Sequence, residues 1–412
     1  MSDLLWSSDG SYTPSIEPHT KAKHLVIEAY VEELIFILYG KGRRGVDTFT
    51  FIDGFCGGGI YQDNDSENKE WFGSPIRLIR AVQKGYQKAN REYPIDVKYI
   101  FIDSKQNHID CLKHYAMPKA GLEELATSNQ CEFLCGEFNS YVDYLTEDYR
   151  KGHYFFLLDP QGWTDIPMRS IRKITSMKKS EILYTFMIDY IIRFISQRDS
   201  KLKRGFQDVL EADGYYSEAD ASRIDTIEMQ CYLRQETMRL FREKGNARKV
   251  FSFAVFPKYY TRALYYLLHI SSSLKALEVM KDSFWQENTL SYEYYFEVFG
   301  LGFRTVDYYQ RNQTNLRFEK SKDEECIELL DRDLRRVLED NPDGITFTDA
   351  RAKTMEFNPA RRAHYEQYIK QLRDDQLIEI VRDGQTVKGK NPDLQRKDII
   401  RKSRIRQLSL PF

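Results

Sequence analysis

The 412-residue chain lacks any surplus of charge: 61 Lys and Arg stand against 62 Asp and Glu, leaving a formal net charge of −1. Any surface built for a polyanion must therefore be local. Cysteine is sparse. The six residues (Cys56, Cys111, Cys131, Cys135, Cys231, Cys326) form no C-x-x-C pair, and no secretory leader precedes them, which predicts reduced thiols in a cytoplasmic protein. Cys131 and Cys135 have no companion His or Cys cluster, so no metal site is expected. No apolar run is long enough to span a bilayer: the most apolar stretch, 182–195, is short and carries Asp189 and Arg193. Internal repeats and low-complexity segments are missing too. Aromatic side chains are what the chain has in quantity, with 28 Tyr and 25 Phe, enough for a large core and for stacking on planar ligands.

The length allows two or three domains. Residues 1–18 are polar, with two prolines, and read as a tail or lead-in. Apolar residues then recur at helical spacing from about Lys21 to Tyr39 and stop at Gly40. Strand patterns follow at 48–53, 97–103, 131–135, 153–159, 181–187, 250–256 and 263–270, with helical patterns between them. That alternation predicts an α/β fold, a mostly parallel sheet covered by helices. The last two strands are only a few residues apart and should pair as a hairpin, placing one antiparallel strand in the sheet. The charged segment 188–248 reads as a helical insertion in a first domain ending near 305. Residues 306–323 read as a linker. In the remainder, 324–412, a helix, a short strand, two helices and a hairpin turning at Asp383-Gly384 follow in winged-helix order, with a basic tail.

The stretch FIDGFCGGG, residues 51–59, ends the first strand on an acid and a glycine turn. A dinucleotide fingerprint needs glycine three residues after Gly59, where Gln62 stands. The series Asp53-x-Phe55-x-Gly57-x-Gly59 instead resembles the first motif of S-adenosylmethionine-dependent methyltransferases, in the phenylalanine-containing form of DNA amino- and cytosine methyltransferases. A glycine turn that merely closes a buried strand is the plainer alternative. The resemblance implies that Asp53 takes the ammonium group of the methionine end, while Phe55, Gly57 and Gly59 line the cofactor. Asp103 ends the second strand, where an acid can accept both ribose hydroxyls or simply cap a helix. Glu137-Phe138 follows the third and resembles the acidic-aromatic step that holds adenine in such enzymes. The fourth runs into Asp159-Pro160-Gln161-Gly162-Trp163, which resembles the D-P-P-Y/F/W stretch that grips an exocyclic amine. Asp159, Pro160 and Trp163 would then hold the target, although Gln161 replaces the second proline and the aromatic comes one residue late. No cysteine follows a proline in a catalytic setting, which argues against cytosine C5 chemistry. Features at four successive strand ends form a pattern, because open α/β sheets bind ligands there.

Taken in order, the blocks PHTKAKHLVIEAY, FIDGFCGGG, FGSPIRLI, LLDPQGW and YYLLHISSSLKALEVMKDSFW resemble the three-Cys-motif partner family over residues 17 to about 300. The resemblance implies a methyltransferase-like domain encoded beside a bacterial or phage three-Cys-motif protein, and it supplies no settled reaction. Gly58 stands where that family's loop has proline. Lys21 and Lys23, ahead of the first strand, can meet a phosphate or a carboxylate, or serve as solvated helix-start charges. In the C-terminal unit, Arg361, Arg362, Lys370 and Arg373 on the third helix are expected to meet nucleic-acid backbone, the alternatives being a solvated face or protein docking. The sequence thus predicts a Rossmann-like class I methyltransferase sheet with a helical insertion and a C-terminal winged helix. The expected function is methylation of a nucleic-acid base amine from S-adenosylmethionine, without metal or membrane. A non-catalytic assembly partner of a three-Cys-motif protein is the alternative.

Overall fold

The computed structural model describes residues 5–41, 45–147, 151–160, 165–188, 191–192, 205, 207–219, 221–223, 226–255, 263, 265–290, 294–297, 302–305, 322–388 and 393–403. The chain divides into two compact units, Met1–Gln310 and Arg311–Phe412.

The strands of the first unit are β1 (Thr48–Asp53), β2 (Ile60–Gln62), β3 (Glu70–Phe72), β4 (Asp96–Asp103), β5 (Cys131–Cys135), β6 (His153–Leu158), β7 (Ser180–Phe186), β8 (Lys249–Val255), β9 (Tyr265–Ser271), β10 (Tyr294–Glu297) and β11 (Gly302–Thr305). Nine of them form one sheet in the order β10-β11-β8-β9-β7-β6-β1-β4-β5. β1, β6 and β7 are buried along almost their whole length, as strands covered by helices on both faces must be. From central β1 the chain steps outward to β4 and β5, returns to β6 on the other side of β1, and continues to β7, all in parallel. Such a reversal, at the carboxyl ends of β1 and its neighbours, is where open α/β sheets take their ligands.

β9 lies antiparallel between β7 and β8, the hairpin partner the spacing predicts. The sheet is nevertheless wider than the sequence pattern suggests. β11 adds parallel to β8, and β10 runs against β11, so a second strand opposes the parallel direction. Strands of four residues carry too little periodicity to be seen in the sequence. The small β2–β3 hairpin, missed for the same reason, stands outside this sheet.

Helix Pro18–Tyr39 packs on helix Ser74–Ala89, where Gly85 permits close approach: a Cβ there would lie 2.5 Å from the Glu32 carbonyl oxygen. On the sheet side, Tyr30 donates to the buried Glu181 carboxylate, with His269 Nε2 3.4 Å from the same oxygen. Tyr30→Phe removes a donor to a buried charge and is expected to cost about 2 kcal/mol in urea unfolding. Burial alone would raise the Glu181 pKa, but His269, His153 and Tyr30 together hold it below the usual range. Its contribution to stability is present above the unfolded carboxylate pKa and is lost as pH falls below it.

The lead-in is not a loose tail. Pro14 and Ile16 bracket Gln62 with bonds of 2.8 and 2.9 Å, extending the β2–β3 hairpin, and Trp6 is 3% exposed. In the expected insertion, Ile227–Glu243 is a helix. Among the described residues no helix is long and apolar enough to cross a membrane.

The second unit runs helix Lys322–Asp340, β12 (Ile345–Thr346), helices Phe347–Thr354 and Arg362–Asp374, β13 (Ile378–Arg382), β14 (Gln385–Thr386) and β15 (Ile399–Lys402). Its sheet order is β12-β15-β13-β14. Asp383 and Gly384 make the hairpin turn, both at positive φ (50° and 80°). Part of the expected basic tail is structural: β15 pairs with both β12 and β13, and Arg401 bonds Glu379 at 2.9 Å.

Candidate functional site

In the sheet register Asp53 is level with Phe101 and Leu157. Asp103 and Asp159 therefore lie two residues further out along the same edge, about 6.5 Å at strand rise. The three carboxylates form a stepped rim, with Asp53 at the bottom and fully buried. The loop after β1 is sewn into this edge, since Gly54 N–H bonds Leu157 and Cys56 N–H bonds Ile102, each at 2.9 Å. Gly57 and Gly59 turn it at φ of 58° and 74°, a region open to glycine.

Asp53 accepts from the Ser74 hydroxyl at 2.7 Å and from the Phe55 N–H at 3.3 Å. Burial pushes its carboxyl up to about 7; those two hydrogen bonds pull the other way, and the Asp159 and Asp103 charges add to the rise. Gly73 is the N-cap of helix Ser74–Ala89, and the Ser74 hydroxyl is free to serve Asp53 rather than the helix end.

Asp103 accepts from Gly57 N–H at 3.1 Å, Lys105 N–H at 2.9 Å and His108 Nδ1 at 2.9 Å. It thereby ties the glycine turn to the helix after β4. His108, which no sequence signal singled out, is 3% exposed, and its Nε2 has no hydrogen-bond partner among the described residues.

Trp6, also missed, lies on the glycine turn: a Cβ on Gly58 would fall 2.3 Å from its Cδ1. Glu137 is exposed at the start of helix Phe138–Thr146, while Phe138 is buried with its ring against Gly54 and 5.9 Å from the half-buried Phe55.

Asp159 pairs with Lys23, whose side chain is 6% exposed and whose ammonium lies 5.6 Å from the Tyr265 ring centre. His19, one turn earlier, lies tilted against the same ring, with centres 5.9 Å apart. Burial, reinforced by Lys23 and opposed by Asp159, brings its pKa down to about 4, so it is neutral at pH 7. Lys21 bonds Asp63 at 2.6 Å and Asp65 at 3.2 Å. Both lysines are thus engaged by carboxylates of this chain. Pro160 follows Asp159 at the strand end; Gln161, Gly162 and Trp163 lie outside the described residues.

In the second unit Arg362 pairs with Glu366 and Arg373 with Asp374, each at 2.7 Å, on their own helix. Lys370 is half-buried there, and Arg361 is the N-cap of that helix. Lys390, Arg404 and Arg406 fall outside the described residues. No three His, Cys, Asp or Glu residues among those described are gathered for a metal ion.

No family model matches the chain, and no curated protein matches it. Solved structures similar to it include protein LPL1258 of Legionella pneumophila, of family DUF519 (8% identical, 60% of this chain over 85% of that one, TM-score 0.35). An O-methyltransferase from Bacillus cereus in complex with SAH is 11% identical (59% over 80%, TM-score 0.31). The O-methyltransferase TomG from Streptomyces achromogenes, in complex with SAM, is 13% identical (63% over 91%, TM-score 0.30). At these identities and superpositions none bears on what this chain binds.

Proposed function

We propose that the first unit is an S-adenosylmethionine-dependent methyltransferase acting on a nucleic-acid base at an exocyclic amine. The observation that carries this reading is the stepped set of Asp53, Asp103 and Asp159 around a glycine turn at the point where the sheet order reverses. The cofactor, when bound, supplies an electrophilic methyl group on a sulfonium. Buried Asp53 is the counter-ion for its ammonium group. Asp103 and the orphaned His108 Nε2 suit ribose hydroxyls, while Glu137, Phe55 and Phe138 stand on the side assigned to adenine. Asp159 keeps one oxygen on Lys23 and offers the other to the target amine, with Pro160 shaping the strand end and Trp163 assigned to the base. Methyl transfer needs alignment of nucleophile and sulfonium more than a proton relay, so the chain's work is positioning.

We read the second unit as a winged helix, with Arg361, Arg362, Lys370 and Arg373 as its nucleic-acid face. One observation favours a different role. Arg362 and Arg373 are already balanced by acids on their own helix, which suits docking to a protein, and the three-Cys-motif partner resemblance agrees with that. Calorimetry with S-adenosylmethionine, followed by labelled methyl transfer to DNA and to RNA, separates the readings. Binding without transfer to either favours the assembly role; no binding ends the methyltransferase reading. Asp103→Ala strips the glycine turn and His108 of their shared acceptor. It is expected to weaken cofactor binding 10- to 100-fold and to cost about 3 kcal/mol of stability, since three donors lose a charged acceptor. An unchanged dissociation constant removes Asp103 from the site.

A further inference from the structure

We propose that the N-terminal segment is a plug on the nucleoside site, with the Trp6 indole standing where an adenine nucleoside enters. The identity of the ligand rests on the methyltransferase reading; the occlusion rests on geometry. The indole lies on Gly57 and Gly58, where added Cβ atoms would come within 2.9 and 2.3 Å of it. Its other neighbours are His108, edge-on with ring centres 4.8 Å apart, and Tyr61 at 5.2 Å. Trp6 therefore bridges the loop after β1 and the helix after β4, on the carboxyl edge where an open α/β sheet takes its ligand.

The site under the ring is not satisfied by it. The carboxylate of Asp103 accepts from His108 Nδ1, and Nε2 is left as a buried polar atom with no hydrogen-bond partner among the described residues. Trp6 cannot supply one, because its own N–H is spent on the Ile60 carbonyl at 2.5 Å. A nucleoside brings hydroxyl and amino hydrogens to that position.

The attachment of the segment fits removal. Residues 14–16 are laddered to Gln62, whereas the tip is held by the Ile60 bond and by Asn107 donating to the Trp6 carbonyl at 2.5 Å. Between them the chain turns at Gly10, φ 73°. The tip can lift while the ladder stays.

The test uses the full chain and S-adenosylhomocysteine, which binds without turnover. Trp6→Ala is expected to bind at least 10-fold tighter than the parent, since the competition with the plug is gone. His108→Phe should weaken binding at least 5-fold in both backgrounds. In the parent, saturating ligand should raise hydrogen exchange in residues 5–13 and leave the Ile16 and Gln62 amides protected. Equal or weaker binding by Trp6→Ala, or continued protection of 5–13 under saturation, overturns the plug while the cofactor reading stands. Absence of binding in both parent and Trp6→Ala overturns the cofactor reading and the plug's assignment together.

Discussion

Asp53→Asn should make the protein more stable at pH 8 and nearly unable to bind S-adenosylmethionine. A carboxyl moved by burial from 3.8 to about 7 opposes folding wherever the unfolded chain is ionised and the folded one is not. Below pH 3.8 the group is protonated in both states and contributes nothing. As pH rises toward 7 the native state loses about 1.4 kcal/mol per unit relative to the unfolded chain, and the loss levels off above 7, at about 4 kcal/mol in all. Asparagine keeps the shape and can still accept from the Ser74 hydroxyl, but it buries an amide hydrogen, which costs about 2 kcal/mol. The net expectation is a gain of about 2 kcal/mol at pH 8 that disappears near pH 5, read from urea unfolding at both values. Cofactor affinity should fall at least 100-fold, because the ammonium group loses its buried counter-ion. In the parent, binding should release about half a proton at pH 7, seen as a dependence of calorimetric heat on buffer ionisation. A variant that shows the parent's stability at both pH values refutes the raised carboxyl.

The second large effect concerns Asp159→Ala. Removing this carboxylate leaves the Lys23 ammonium, 6% exposed, without its partner. Breaking a buried ion pair from one side costs more than removing the pair, because an uncompensated charge is left inside. Asp159 is itself 30% exposed, so the penalty should be about 2 kcal/mol, below the range for fully buried pairs. Lys23→Met in the same chain should restore most of that stability, while methyl transfer stays absent in both. A double-mutant cycle in urea should return a coupling of about 2 kcal/mol; single losses that merely add dispose of the pair as a structural element. Without the double variant, a dead Asp159→Ala protein says nothing about chemistry.

Seven strands were legible because each is a short run rich in aromatic and aliphatic residues between turn or helix signals, and the last two are close enough to mark a hairpin. The acids at their ends were legible for a related reason: polar residues closing such runs have to sit at the sheet's edge. The side-chain partnerships there were not. Lys23 and Asp159 are 136 positions apart, and nothing local distinguishes that lysine from Lys21. Trp6 sits in a polar lead-in and gains its meaning only from Gly57 and Gly58. His108 looks like one more helical residue until Asp103 accepts from its Nδ1. Strands β10 and β11, four residues each, had no pattern to read.

β9 follows both β7 and β8 in the chain and yet fills the gap between them. During synthesis those two strands wait with unpaired edges until residue 271 has left the ribosome. A fragment ending earlier carries an open seam of backbone donors and acceptors, the template on which unrelated chains stick. The first unit consequently cannot be trimmed to its rim of acids. The edge that carries those acids is complete only with the whole sheet.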